Sequence, residues 1–219
     1  MAQPRYRHII WDWNGTLLDD FDYCIGVMNG LLARRSLPLL DRARYHAVFD
    51  FPVRDYYARL GFDFTRDSFE QLSVEFITAY DANRLTCPLH AGAADLLGAV
   101  QDAGVTQSIL SAYRHETLIQ IVDHFGHLPR FIRLTGLDNI FAHSKAELGR
   151  AWIEELALPR EDVLLIGDTL HDLEVAQAIG INCVLVAAGH HPTHRLCARH
   201  GHVVENLAAL RAEGFLLRS

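Results

Sequence analysis

The sequence predicts an α/β protein, a doubly wound parallel sheet of Rossmann-like form interrupted near its start by an all-helical insertion. Three observations predict it. Short apolar runs alternate with longer amphipathic segments over most of the chain; the stretch from about Phe21 to Thr86 breaks that alternation; and acidic residues stand directly after two of the apolar runs. The 219 residues, half of them hydrophobic, suffice for one ordinary domain with a sizeable insertion.

Taken in order, strands are expected over residues 8–13, 107–110, 131–134, 162–166 and 182–186. Helical spacing over 91–103, 115–125, 145–156 and 170–179 supplies right-handed crossovers between them. Within the insertion, Tyr23, Val27 and Leu31 recur at helical spacing, and breakers at Pro38, Pro52 and Gly61 divide it into about four helices, the last over 66–83. The chain leaves the core after the first strand and returns at Cys87-Pro88. Residues 1–19 and 87–219 are therefore expected to form the core domain, and 20–86 a helical lid over the carboxyl end of strand one.

Composition narrows the function. The net charge of −7 mixes both signs without a basic run, which argues against a nucleic-acid partner. Cys24, Cys87, Cys183 and Cys197 are scattered with no CxxC pair, as expected of reduced thiols in a cytoplasm. The N-terminus lacks the pattern of a secretory signal, and no apolar run approaches the ~18 residues of a membrane span. A cytoplasmic monomer or homodimer that takes no membrane partner is expected.

The strongest local signal is IIWDWNGTLLDD, where an apolar strand delivers Asp12 to its carboxyl end and a Gly-Thr turn follows. Ligands bind at that edge of an open α/β sheet. A lone strand-end aspartate is equally a turn or cap residue. Ser111, ending the run 107–110, reaches the same edge; its hydroxyl can donate to a phosphate oxygen or cap the next helix. Lys145 is the only lysine among twenty lysine and arginine residues. A compact ammonium suits a point contact to both a carboxylate and a phosphoryl group. In VLLIGDTLHDLEVA, Asp168 follows an apolar strand and Asp172 opens the next helix, so both face one loop. Such hard oxygen ligands suit Mg2+; helix capping explains each acid separately, but not their shared edge with Asp12.

Asp12, Ser111, Lys145 and Asp168 with Asp172 match in type, order and spacing the four motifs of the haloacid dehalogenase superfamily, across nearly the whole chain. The insertion resembles that family's helical cap, and the sequence looks most like its phosphoglycolate phosphatase-like branch. The resemblance implies a Mg2+-dependent phosphatase for a small phosphorylated metabolite. In it Asp12 attacks phosphorus and binds metal, Asp168 ligates metal, and Asp172 supports it. Ser111 and Lys145 hold the phosphoryl oxygens, and backbone amides at Trp13, Asn14 and Ala112 complete the cradle.

One departure matters: the family's phosphatases read D-x-D in the first motif, and this chain reads Asp12-Trp13-Asn14. Asparagine keeps the backbone carbonyl that ligates metal, but it cannot protonate a leaving oxygen. General acid-base help is worth about 10²- to 10⁴-fold. An activated substrate such as an acyl phosphate would not need it; Asp19, Asp20 or His46 are candidates to replace it, as is slow deamidation at Asn14-Gly15. The rival reading is a pseudo-phosphatase that binds a phosphometabolite with little turnover. Among the lid arginines, Arg54 is the preferred contact for a substrate carboxylate or second phosphate. The segment GHHPTHRLCARHGH fits no standard zinc spacing and is expected to be a polar loop running into a surface helix.

Overall fold

The computed structural model describes residues 5–138 and 145–212. Strands β1 (His8–Trp11), β2 (Thr106–Arg114), β3 (Arg133–Leu137), β4 (Val163–Gly167), β5 (Asn182–Val186) and β6 (Val203–Val204) form one sheet. Its order is β3-β2-β1-β4-β5-β6, and every pairing is parallel. The first strand stops two residues earlier than expected because Trp13 O accepts from the amides of both Leu17 and Leu18, turning the chain. The second runs four residues further than expected, through a register shift against β3 between Leu110 and Arg114. The sixth strand was not foreseen; two residues carry no readable period.

The insertion folds as α1 (Phe21–Arg34), α2 (Arg42–Val48), α3 (Val53–Leu60) and α4 (Phe69–Asn83). Local chemistry sets these ends. Asp41 caps α2 by accepting from Arg44 N at 2.7 Å, Gly61 closes α3 in the left-handed region at φ 97°, and Ser68 with Gln71 forms a capping box on α4. The four helices bury their own apolar cluster, including Met28, Leu32, Tyr57, Leu60 and Leu72.

Core helices α5 (Ala93–Asp102), α6 (His115–His124), α7 (Ala146–Leu156) and α8 (Leu170–Ile179) are followed by α9 (Thr193–Cys197) and α10 (Leu207–Ala212). Alternation along β1 divides them between the faces: Ile9 and Trp11 pack with α5, α6 and α10, while Ile10 packs with α7 and α8. A sheet covered on both sides follows. The segments that lead to and from α1–α4 run side by side, with Asp19 N donating to Pro88 O and His90 N to Leu17 O, both at 2.9 Å. That pairing holds the helical segment over the carboxyl edge of β1, β2 and β4.

Candidate active site

Asp12 is placed by the sheet itself: its amide donates to Ile166 O of β4 at 2.8 Å, one residue beyond the end of β1. Lys145, capping α7 from the neighbouring crossover, is 2 % exposed. Its Nζ lies 2.5 Å from Asp12 Oδ1 and 2.7 Å from Asp172 Oδ1, and it donates to Leu110 O at 3.0 Å. Asp172 is both a cap and a charge partner, since its Oδ2 accepts from the Thr169 amide and hydroxyl at 3.0 and 2.7 Å. Asp168 accepts from the Thr16 hydroxyl at 2.9 Å and from the His190 amide at 2.6 Å. Close backbone approach makes this possible. A Cβ on Gly189 would stand 2.1 Å from Asp168 Oδ2; one on Gly15, whose φ is +74°, would stand 2.4 Å from the same atom.

Asp12, Asp168 and Asp172 bring three buried carboxylate oxygens within 4.8 Å of one another, with a single ammonium among them. Burial pushes Asp12 up to about 8, opposed by Lys145 and reinforced by the other two acids. Burial likewise raises Asp168, to about 6. Asp172 stays low because Lys145 and Thr169 outweigh its burial. Excess negative charge is therefore built into this corner, and an all-oxygen donor set of this kind fits a hard divalent cation.

Ser111 and Ala112 line the same cavity as these acids. Ser111 Oγ accepts from Tyr113 N at 3.1 Å, and it caps no helix; α6 is capped by Arg114. Trp13 turns away from the cavity into the core, where its ring lies 6.2 Å from that of Phe125.

Asn14 sits in a network that the sequence did not reveal. Its Nδ2 donates to Asp20 Oδ2 at 2.9 Å and to Tyr80 Oη at 2.8 Å, and Tyr80 donates to the same Asp20 oxygen at 2.8 Å. Asp20 Oδ1 accepts from Gly15 N and lies 3.4 Å from His190 Nε2. His190 meets Tyr45 Oη through Nδ1 at 2.9 Å. Burial opposes both charges of this pair, yet the contacts of His190 and its neighbours hold Asp20 down at about 2, and those of Asp20 lift His190 to about 9. Asp20 stands at the N-cap position of α1, but its carboxylate makes no cap bond to the helix and is held as an anion by Asn14, Tyr80, Gly15 and His190. Asp19 is exposed, and neither it nor His46 lines the cavity.

Two expectations change. Arg54 is exposed and lies over the rings of Phe64 and Phe69, 4.9 and 5.8 Å from their centroids, outside the cavity lining. Although its helix neighbours Val53 and Tyr56 line the cavity, the Arg54 head lies on the Phe64 and Phe69 faces instead. The segment after β5 is not a polar surface loop throughout: His190 and His191 are 6 % and 0 % exposed, and His191 Nδ1 accepts from Leu170 N at 3.0 Å. Beyond them, Cys197 is exposed and His200 Nε2 pairs with Cys183 O at 3.0 Å. Among the described residues, His194 to His202 form no metal-capable group. A signal for His190 did exist, because it follows a strand at the same carboxyl edge as the other site residues.

The haloacid dehalogenase-like hydrolase family profile matches residues 9–186. A 5'-nucleotidase of Pseudomonas aeruginosa is 30 % identical over 225 residues, covering 96 % of each chain. An N-acetylmuramic acid 6-phosphate phosphatase of Pseudomonas putida is 27 % identical over 86 % of each. A haloacid dehalogenase-like hydrolase from Streptococcus pneumoniae superposes with a TM-score of 0.80 at 18 % identity, covering 95 % of this chain and 98 % of its own. The chain belongs to the haloacid dehalogenase-like hydrolases. Within them it is a phosphatase of the phosphoric monoester hydrolase type, with a helical cap inserted in a Rossmann-like core.

Proposed function

We propose that this protein hydrolyses a small phosphorylated metabolite with Mg2+, through a phosphoryl group carried transiently on Asp12. The observation that carries the reading is the Lys145 ammonium lodged between Asp12 and Asp172, with Asp168 beside them, at the carboxyl edge of the sheet. Asp12, Asp168, Asp172 and the Asn14 carbonyl would hold the ion. Bound there, Mg2+ neutralises the excess carboxylate charge and polarises a phosphoryl oxygen.

The chain's own groups do the rest. Lys145 orients Asp12 toward the phosphorus and takes charge on a phosphoryl oxygen; the Ser111 hydroxyl and the amides following Asp12 and Ser111 supply further donors. Residues 20–86 close the site and exclude water. The nucleotidase and sugar-phosphate phosphatase names of its relatives favour an organic phosphomonoester. Asn14 favours a second reading, a phosphometabolite-binding protein of low turnover, because its amide is committed to Asp20 and Tyr80 and carries no proton to give.

Phosphate release from acetyl phosphate and from a panel of phosphomonoesters, with Mg2+ and with chelator, decides between the two. The enzyme reading expects Mg2+-dependent release that Asp12→Asn abolishes. Inert wild type beside an active Asn14→Asp variant supports the binding protein instead.

A further inference from the structure

The part of the cavity that faces the cap has a chemistry of its own. Phe49, Phe51, Tyr56, Tyr57, Phe76 and Tyr80 line it above the carboxylates. Phe51 stacks on His171 of α8 with centroids 4.5 Å apart and an interplanar angle of 24°, closing the cavity wall between cap and core. Phe49 and Tyr56 meet edge to face at 5.1 Å. None of Arg34, Arg35, Arg42, Arg44, Arg54 and Arg59 lines this space. The arginine that does, Arg114, comes from the core; it donates to the Thr117 hydroxyl at 3.0 Å and lies 3.8 Å from Glu116. Asp20, the lining acid that belongs to the cap segment, is paired with His190.

In this aromatic lining two polar atoms have no protein partner. Tyr56 is 3 % exposed and its hydroxyl is buried without a hydrogen bond; His171 is 8 % exposed and its Nε2 is buried in the same state. An unpaired buried donor or acceptor costs about 1–3 kcal/mol unless something satisfies it, so such atoms beside a cavity point to a ligand with a polar edge. His171 Nδ1 faces the Glu174 carboxylate at 3.6 Å, which favours a proton on that nitrogen and leaves Nε2 as an acceptor. The site thus offers a donor on Tyr56 and an acceptor on His171, between rings.

We propose that the phosphate ester accepted here has a flat, uncharged heteroaromatic leaving group of the nucleoside type, seated among the cap's rings and read along its edge by Tyr56 Oη and His171 Nε2. Aromatic walls favour a ring by stacking, and the acceptor-and-donor edge of a base satisfies both orphaned atoms. Among the described residues no cap arginine lines the cavity to meet an anionic leaving group such as a carboxylate. This inference rests on the phosphatase reading for the position of the phosphate, and its test separates the two.

Binding of uridine 5'-monophosphate, phosphoglycolate, glucose 6-phosphate and inorganic phosphate is measured by calorimetry with Mg2+ on the full-length Asp12→Asn protein, where turnover does not interfere. The nucleotide is expected to bind at least about tenfold tighter than the other two esters. Tyr56→Phe, in the same Asp12→Asn background, is expected to shrink the preference for uridine monophosphate over inorganic phosphate by about 3- to 10-fold, the worth of one hydrogen bond. Phe51→Ala, at a half-buried position, is expected to shrink it too. Equal or tighter binding of phosphoglycolate or glucose 6-phosphate overturns the proposal, as does a nucleotide preference untouched by both variants. Acetyl phosphate, which has no ring, is assayed on wild type in parallel. If wild type releases phosphate from neither acetyl phosphate nor any of the esters, the phosphatase reading falls and the ring preference is judged by binding alone.

Discussion

The floor and the roof of the cavity are built on opposite chemistries. The floor is three carboxylates and an ammonium fixed by the ends of β1 and β4 and the starts of α7 and α8; the roof is a set of rings carried by α1–α4 and their loops. Charges at the floor are positioned by backbone that two flanking layers bury. The roof meets the core through side-chain contacts that include Tyr80 with Asn14, Tyr45 and Phe49 with His190, Tyr113 with Asp81, Arg195 with Asp50 and the Phe51–His171 stack. Such a division lets one set of residues keep the reaction and another choose the substrate.

The division can be broken from the floor first. Asp12→Asn is expected to lower phosphate release by on the order of 10⁴-fold or more, the usual loss when a nucleophile is removed, with the thermal melt showing the fold retained. Lys145→Met leaves Asp12 and Asp172 buried without their counter-charge. It is expected to cost about 3–5 kcal/mol of stability, read from the denaturant midpoint, and to remove most of the turnover.

The opposite end of β1 provides a control away from the site. His8 is fully buried, with Nδ1 2.7 Å from Thr106 Oγ1 and Nε2 2.8 Å from Ser108 Oγ, and burial pushes it down to about 4. The fold keeps this ring neutral while the unfolded chain protonates it near 6.5. Its contribution is therefore complete above pH 6.5 and is lost as pH falls from 6.5 through 4, by up to about 3 kcal/mol. Unfolding midpoints at pH 7.5, 5.5 and 4 check this, and His8→Gln should flatten the slope.

Asn14→Asp sharpens the boundary between floor and roof. An acid at position 14 keeps the contact with anionic Asp20 only while protonated, and so holds the proton that asparagine lacks. Hydrolysis of alkyl phosphates is expected to rise by up to about 10²-fold while acetyl phosphate changes little, because its leaving group needs no acid. Equal acceleration on both substrates would show that leaving-group protonation is not what position 14 limits. The smallest effect belongs to Arg54→Gln: kcat/KM on every substrate should stay at the wild-type value, and any loss of turnover would return this residue to the roof.

Much of this was legible from the chain alone. A strand's carboxyl end fixes where its next side chain goes, so Asp12, Ser111 and Asp168 could be placed at one edge from periodicity, and Lys145 by its solitary use as lysine. Asn14 announced itself by standing where the resemblance expects an acid. Arg54 misled because an arginine's stem reaches several ångströms and its exposed head goes to the nearest favourable surface, here the Phe64 and Phe69 rings. Ser111 was expected to end its strand, but pairing with β3 beyond the register shift carries β2 on to Arg114.

What the sequence determined was the alternation of strands and helices, the helical insertion and the identity of the acids at the sheet's edge, because these follow from local period and chain order. Tertiary structure decided the pairings between distant residues: Asp20 with His190, 170 positions apart, and Tyr56 and Phe51 over the carboxylates they never approach in sequence. No local pattern encodes such partners, since each is chosen by burial, where an ion must find its counter-charge and a ring its neighbour.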